Sequence, residues 1–346
     1  MARSSGRLRR ARPDRPGLVR VRHGRGFRYL DADGGPAAEQ DVWRAKELVI
    51  PPAWRDVWIC PWPNGHIQAT GTDDAGRRQY LYHPRWREQR DRLKHDHVLE
   101  FAAELPALRQ RIEQALYERG LSRPKVLGAA IRMLDLGLFR VGGRQYAIAN
   151  GSHGLATLER SHLSFEHGEA VFRYPAKGGT ERVQRIADPV LVKVLRALHR
   201  RSGGGDRLLA YYNGRGWHEV TDREINEHLK TLAGPDASAK DFRTWHATVL
   251  VAVALAVSNG LPDSRAARRR AVARAIAEAA DYLGNTPAVC RASYVDPRVI
   301  DRYLDGETID YVLPALGRDT EQGVPATHGA AEQAVLRLLD HQNGRQ

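Results

Sequence analysis

Cysteine is scarce in this sequence: only Cys60 and Cys290 occur among 346 residues. Two thiols exclude a disulfide scaffold and a four-thiolate zinc site, and such low usage is typical of a reducing cytoplasm. Long apolar runs are missing too, since the longest, 249–257, has nine residues, whereas a membrane-spanning helix needs about 20. No apolar segment follows the N-terminal arginines, so we expect neither a signal peptide nor a membrane anchor.

The motifs of nucleotide and metal enzymes are also missing. The sequence has no Gly-rich phosphate loop, no zinc-ligand spacing, no carboxylate cluster suited to magnesium and no serine or cysteine nucleophile motif. His95 and His97 flank Asp96 on a charged stretch, which predicts a solvated surface and not a metal site. We therefore predict that any reaction proceeds without a cofactor or a metal.

Acidic residues are outnumbered by basic ones, 41 to 54, which gives a net charge of +13. Residues 1–30 contain ten arginines and one acid, Asp14, so +9 of this excess lies there. Such a segment is either a solvated tail or an arm that condenses on a polyanion and releases counterions. The charge indicates a polyanionic partner but does not distinguish DNA from a ribosome or an anionic membrane surface.

Turn residues and periodicity divide the chain into three parts. Residues 1–25 are rich in Arg, Gly and Pro and predict a basic, disordered arm. Short apolar runs separated by turn residues predict a small β-rich domain over 26–90. From Val98 the apolar residues recur at three- and four-residue steps, which predicts a mainly helical domain over 91–346, with a kink or a fresh helix start at Pro106. The predicted fold class is therefore α+β.

Within the helical domain, residues 126–139 are apolar nearly all round, as in a buried helix. Residues 155–186 alternate between apolar and polar, with turns at 167–169 and 176–179. This pattern predicts a three-stranded β insert with Lys177 on its second turn. Further helices are predicted at about 189–201, 222–232, 241–258 and 264–283.

Three basic residues occupy unusual places. Arg140 follows the buried helix, Lys177 projects from a Gly-flanked turn, and Arg243 begins a helix whose next turns are apolar. Taken singly, each is more typical of a helix-end charge, an ordinary turn lysine or an ion pair than of a functional site.

The segment before Pro297 is more specific. Gly284 is a helix stop, Thr286 and Pro287 form a helix start, and Asn285 lies between them. Tyr294 follows about two helical turns later. A tyrosine there can lie at the rim of a cleft, although packing is the commoner reason for a lone tyrosine on a helix.

In their order along the chain, these segments resemble type IB DNA topoisomerases, in particular the compact poxvirus-like form found in bacteria. The resemblance covers residues 25–305 and implies the tyrosine recombinase/topoisomerase IB-like fold. It rests on the N-terminal strings 67–73 and 76–84, then on 139–146, on Lys177 in its turn, on 240–244 and on 292–294.

The resemblance also implies a site. The catalytic set would be Arg140, Lys177, Arg243, Asn285 and Tyr294. The DNA-binding residues would be Arg77, Gln79, Tyr80, Tyr82, Arg144 and Tyr146. One position departs from the family, which usually has a histidine where this chain has Asn285. An amide can donate a hydrogen bond to a phosphate oxygen but cannot hold a positive charge.

These residue types suit attack on a phosphodiester. Arginine forks stabilise the charge that grows on the non-bridging oxygens, and neighbouring cations favour the phenolate of a tyrosine. A lysine on a hairpin turn suits a general acid for the departing 5′-oxygen. The resemblance thus implies relaxation of supercoiled DNA through a 3′-phosphotyrosyl intermediate, rotation and religation, without ATP or metal.

The implied partner is double-stranded DNA, clamped between two lobes of a monomer, with no obligate protein partner and no membrane, at the nucleoid of a bacterial cytoplasm. Two alternatives stay open. A tyrosine recombinase or integrase uses the same catalytic residue types, Arg, Lys, Arg and Tyr, although it typically has a histidine where this chain has Lys240. A non-catalytic basic DNA-binding protein would form no covalent adduct with DNA.

Overall fold

The computed structural model describes residues 7–144, 147, 151–176, 178–258, 264–318 and 323–340. The chain divides into two compact units, Met1–Asp96 and His97–Gln346, each with its own hydrophobic core. The division falls a few residues beyond the expected boundary near residue 90. In the described part of the chain, no helix is long and apolar enough to cross a membrane.

The first unit is built on a five-stranded antiparallel sheet with the strand order β2-β1-β3-β4-β5. Its apolar core includes Leu18, Ala45, Val57 and Ile59. The elements are β1 (Leu18–His23), β2 (Gly26–Leu30), helix α1 (Glu39–Glu47), β3 (Arg55–Ile59), β4 (Ile67–Thr72) and β5 (Arg78–Tyr82). The predicted β-rich character of this region is confirmed.

The expected disordered arm over 1–25 is wrong for its described part. Strand β1 lies inside the sheet between β2 and β3, with Leu18 opposite Ile59. Arg20 is buried, and its guanidinium donates to the carbonyl oxygens of Ile50 at 2.9 Å and of Trp54 at 3.0 Å. A buried cation is tolerated in such a strand when carbonyl oxygens accept its hydrogen bonds. The high arginine content of this segment led to the prediction of disorder, although β1 is an ordinary strand of the sheet.

The second unit is mainly helical. Its elements are α2 (Pro84–Leu116), which begins in the first unit, α3 (Arg123–Gly137), β6 (Leu163–Glu166), β7 (Glu169–Pro175), β8 (Glu181–Ile186), α4 (Pro189–Arg200), β9 (Ala210–Tyr212), β10 (Trp217–Glu219), α5 (Asp222–Ala233), α6 (Ala239–Val257), α7 (Arg265–Leu283), α8 (Pro287–Ser293), α9 (Pro297–Leu304) and α10 (Ala330–Asp340). The four helices predicted between residues 189 and 283 agree closely with α4, α5, α6 and α7, whereas α9 and α10 were not predicted, and the mixed α+β class is confirmed. No new helix begins at Pro106, because α2 continues through it.

The β insert is a meander, β6-β7-β8, with Phe172 of β7 opposite Gln184 of β8. The prediction of three strands is confirmed, although the stretch 155–157 that was included in the alternation is a short 3₁₀ helix. The second turn is closed by the N–H of Ala176, which donates to the carbonyl of Thr180 at 2.9 Å. Lys177 itself lies outside the described residues.

Helix α10 completes the core of the second unit. Its Glu332 is buried and accepts hydrogen bonds from Arg109 of α2, the shorter at 2.6 Å, and from the indole N–H of Trp245 of α6 at 3.0 Å. Arg109 also donates to both oxygens of Asp135 on α3, at 2.9 and 3.0 Å. One buried network of hydrogen-bonded charges therefore joins α2, α3, α6 and α10.

Candidate active site

Arg140 is positioned by the abrupt end of α3. Leu138 has a left-handed backbone with φ 51°, which ends the helix. Phe139 then packs edge-on against Phe172, with 5.1 Å between ring centroids. Phe139 is buried, and the side chain of the next residue, Arg140, donates to the carbonyl of Gly284 at 2.7 Å.

The backbone after Arg140 is held by a close chain crossing. The carbonyl of Arg140 accepts from the N–H of Leu155 at 2.8 Å. At this crossing, a Cβ on Gly142 would lie 2.6 Å from the Cα of Gly154. Only glycine permits that approach, so the crossing fixes the direction of the Arg140 backbone.

Arg243 lies in the first turns of α6. The helix begins after Ser238, whose backbone N–H and hydroxyl both donate to Asp241, at 2.8 and 3.0 Å. Arg243 is 4% exposed, and its guanidinium donates to the carbonyl of Leu138 and, at 2.8 Å, to that of Leu283. Burial, with a smaller effect from the nearby Arg140 charge, lowers the pKa of Arg243 to about 10. The guanidinium therefore stays charged at neutral pH.

The corner between α7 and α8 has the predicted helix stop and start. Gly284 adopts the left-handed conformation with φ 62°, and the side chain of Thr286 accepts the N–H of Val289 at 3.3 Å. Asn285 lies between them, and its side-chain oxygen accepts from Arg140. Its amide nitrogen is buried and has no hydrogen-bond partner in the described part of the chain.

Tyr294 follows α8 directly and is half-buried. The guanidinium carbon of Arg243 lies 5.2 Å from the centroid of its ring, and the amino group of Lys240 lies 5.9 Å from it. The backbone just after Tyr294 is anchored on α6, because the N–H of Asp296 donates to the hydroxyl of Thr248 at 3.1 Å. Two cations of α6 thus lie close to the ring of Tyr294, and the backbone that follows this tyrosine is hydrogen-bonded to the same helix.

A second tyrosine near these arginines is kept neutral. Tyr174 of β7 is buried, and its hydroxyl donates to Gln184 at 2.5 Å. Burial raises the pKa of Tyr174 to about 12, although the charges of Arg182 and Arg140 oppose this rise. Tyr174 is therefore suited to support the site as a neutral hydroxyl and not to act as a nucleophile.

The structure brings together four of the five predicted catalytic residues: Arg140, Arg243, Asn285 and Tyr294. Lys177 lies outside the described residues, as does Tyr146 among the predicted DNA contacts, while Arg144 is exposed. Two further cations were not placed in the site by sequence reasoning. Lys240 lies over the ring of Tyr294, and Arg182 lies near enough to Arg140 and Arg243 to lower the pKa of Arg243. The helical spacing of Lys240 and Arg243 was a usable signal, whereas nothing local marks Arg182.

In the first unit, β5 presents the two predicted tyrosines on one face. Tyr80 and Tyr82 are exposed and stacked, with ring centroids 5.9 Å apart. Gln79 points to the other face and donates to Asp73 at 2.8 Å, and Arg77 pairs with the same carboxylate at 2.9 Å. The N–H of Arg77, with smaller effects from these side chains, lowers the pKa of Asp73 to about 2. The alternation of β5 is confirmed, and core packing does not explain the two tyrosines.

One group among the described residues has the donor types of a metal site: Asp135, His246 and His328, all buried, with one ligand atom from each within 4.8 Å of the others. Arg109 already donates to both oxygens of Asp135. A guanidinium this close opposes a divalent cation, so we interpret the group as a structural network. The predicted solvated stretch around His95 is wrong, because His95 is buried, and His97 pairs with Asp241 at 3.3 Å.

Comparisons with known proteins identify the family of this chain. The family described as "Eukaryotic DNA topoisomerase I, catalytic core" matches residues 83–307, and "Bacterial DNA topoisomerase IB, N-terminal domain" matches residues 26–73. The chain belongs to the type IB DNA topoisomerase family and is an isomerase that acts on DNA. DNA topoisomerase 1B of Acanthamoeba polyphaga mimivirus is 27% identical to it over 318 residues, which cover 87% of this chain and 94% of that protein. The predicted family and enzyme class are confirmed.

Proposed function

We propose that this protein relaxes supercoiled DNA by cutting one strand with Tyr294, letting the cut end rotate, and resealing it without ATP or metal. The phenol oxygen attacks phosphorus, and the bond from phosphorus to the 5′-oxygen breaks. The products are a 3′-phosphotyrosyl bond and a free 5′-hydroxyl. Religation reverses this exchange, so the covalent bond conserves the energy of the phosphodiester.

The observation that supports this proposal best is the position of Tyr294 beside Arg243 and Lys240, at 5.2 and 5.9 Å from its ring centroid. Positive charge at this position would stabilise the phosphate as its negative charge grows during attack. The same cationic cluster would therefore contact both the nucleophile and the phosphate.

Each remaining residue has a distinct role in the proposal. Arg140 and Arg243 would contact the non-bridging oxygens as charged forks. Asn285 would donate its unpaired amide nitrogen to one of them, because its oxygen is already occupied by Arg140. Lys177 would protonate the departing 5′-oxygen from the turn between β7 and β8.

We also propose that a single chain suffices and that both units contact the duplex. The four described candidate residues all come from one chain, which supports action as a monomer. The exposed Tyr80 and Tyr82 give the first unit a surface for DNA. Cys60 and Cys290 are both free and buried, which suits action on the chromosome in a reducing cytoplasm.

The test is relaxation of negatively supercoiled plasmid in EDTA and without nucleotide, together with trapping of a protein–DNA adduct by SDS. We expect full relaxation and a trapped adduct on the 3′ side of the nick. Loss of relaxation in EDTA, with recovery on adding magnesium, would contradict the metal-free chemistry. An adduct on the 5′ side would contradict the proposed bond exchange.

A further inference from the structure

Three arginines converge on the C-terminal end of α7. Arg182 of β8 donates to the carbonyls of Asp281, at 3.0 Å, and of Tyr282. The two other contacts are those of Arg243 with the carbonyl of Leu283 at 2.8 Å and of Arg140 with that of Gly284 at 2.7 Å. Four consecutive carbonyls are therefore held by three guanidinium groups.

The convergence of these arginines has a simple electrostatic cause. The last carbonyls of a helix lack partners within the helix and sum to a partial negative charge at that end. Guanidinium groups satisfy these oxygens and oppose that charge. Two of the three arginines belong to the proposed phosphate site, whereas the third, Arg182, has no role in it so far.

We propose that Arg182 is a positioning residue for the cleavage reaction, an inference that rests on the proposed function. It fixes the corner 281–286 against β8, and this corner contains Asn285 and the carbonyl on which Arg140 rests. Strand β8 also leaves the turn that contains Lys177. Arg182 therefore connects two segments. One is the start of β8, just after the turn with the proposed general acid Lys177, and the other is the corner that contains Asn285.

The side chain of Arg182 is suited to hold the protein rather than the substrate. Its two terminal nitrogens already donate to backbone carbonyls. A Cβ on Gly284 would lie 2.8 Å from one of them, so the absence of a side chain there makes room for the guanidinium. Without this fastening, Asn285 and Arg140 would be misplaced although every group that touches DNA would still be present.

The test compares Arg182→Ala, Arg182→Lys and Arg185→Ala in the full-length protein. Arg185 lies on the same strand and pairs with Glu166 at 3.0 Å on its exposed face, which makes it a matched control. Cleavage and religation are measured by SDS trapping with enzyme in excess over supercoiled plasmid, and plasmid affinity is measured separately. A misplacement of about 1 Å can cost about a hundredfold in rate, so we expect Arg182→Ala to slow both steps about ten- to a hundredfold, with affinity changed less than about twofold.

The conservative variant separates positioning from charge. Lysine keeps the positive charge but cannot hold two carbonyls with a rigid fork, so Arg182→Lys should stay clearly slower than the parent. A lysine variant at the parental rate would overturn the positioning role and leave only a charge effect. The Arg182→Lys variant also keeps the test informative if Arg182→Ala fails to fold, and a thermal melt would reveal such a failure.

A double variant, Arg182→Ala with Asn285→Ala, tests whether Arg182 affects the rate through the corner that contains Asn285. If Arg182 acts through the corner, the double variant should be little slower than the slower single variant. Fully multiplicative losses would overturn the inference. Its failure is distinguishable from failure of the proposed function: an active parent that forms the Tyr294 adduct, with Arg182→Ala and Arg185→Ala both at the parental rate, would overturn the role of Arg182 alone.

Discussion

Arg140 donates to the side-chain oxygen of Asn285, whereas the amide nitrogen of Asn285 has no hydrogen-bond partner among the described residues. An amide has one acceptor and one two-hydrogen donor. With the oxygen occupied by a guanidinium, the nitrogen is the group left for a phosphate oxygen. The pair thus presents donors only, although one member is neutral.

Asn285→Ala should slow cleavage and religation together, because both pass through the same five-coordinate phosphorus. An oxyanion-type donor is worth about 2.7–4 kcal/mol and an ordinary hydrogen bond about 0.5–1.5, so losses of about tenfold to several hundredfold are expected. Asn285→Asp should be slower still, since a carboxylate repels the phosphate, and Asn285→His should stay active. Single-turnover rates measure these effects. Parental rates with a lowered melting temperature would leave Asn285 a purely structural role.

Tyr294→Phe should bind DNA about as well as the parent and form no covalent complex, because only the proposed attacking hydroxyl is removed. The matched control is Tyr282→Phe, which removes a hydroxyl from an exposed tyrosine one helix away. Denaturing gels after SDS trapping measure the adduct. An adduct from the Tyr294 variant that is absent in the Tyr282 variant would move the nucleophile to Tyr282.

DNA affinity should fall steeply with salt, and the exposed arginines around β1 should contribute to that slope. Removing one cation that binds a phosphate lowers the slope of log K against log salt by about 0.9. We therefore expect Arg22→Ser with Arg25→Ser to flatten it, while Arg223→Ser, an exposed arginine paired with Glu227 in the second unit, leaves it unchanged. Equal slopes for all three proteins would show that this region does not bind DNA.

Deletion of residues 1–25 should unfold the first unit rather than merely weaken binding. The deletion removes β1, which pairs with both β2 and β3. Circular dichroism and limited proteolysis would measure the loss of structure. A deleted protein with an intact, protease-resistant first unit would contradict the central position of β1.

Tyr80→Ala should weaken DNA binding in a protein that remains folded. Tyr80 is 44% exposed and stacks on Tyr82, so its removal leaves no cavity in the core. Tyr29→Ala, at a partly buried tyrosine that packs against the core of the same sheet, should cost stability instead. Melting curves beside plasmid affinities separate the two effects, and a Tyr80 variant that melts much earlier than the parent would favour packing.

Acid should destabilise the second unit through His328. Burial lowers the pKa of His328 from 6.5 to about 4. Above the unfolded pKa, His328 is neutral in both the folded and the unfolded state. As the pH falls towards about 4, the unfolded chain takes up a proton that the folded protein does not, so the free energy of unfolding falls by on the order of 3 kcal/mol in full. His328→Phe should flatten this part of the stability curve, whereas His167→Asn, at an exposed position, should not. Urea unfolding at about pH 7, 5.5 and 4.5 measures the slopes, and an equal slope in the parent and the His328 variant would exclude this origin.

The sequence was informative where local chemistry decides the structure. The stop at Gly284 and the start at Thr286 and Pro287 follow from backbone preferences, and the alternation of Tyr80 and Tyr82 follows from the geometry of a strand. Prediction from the sequence failed where contacts between distant segments determine the structure. Arg20 looks like a surface charge until the carbonyls of Ile50 and Trp54 surround it. Arg182 meets α7 about a hundred residues further along the chain, and no local pattern encodes that contact.

The network around Glu332 has a consequence for folding during translation. A ribosome releases the chain from its N-terminal end, so α2, α3 and α6 leave the exit tunnel before α10 does. Until residue 332 emerges, the indole of Trp245 and part of the Arg109 guanidinium lack the acceptors that they have in the finished molecule. A nascent chain that already contains Tyr294 thus still lacks part of the packing of its second unit. This packing is completed only when α10 has emerged.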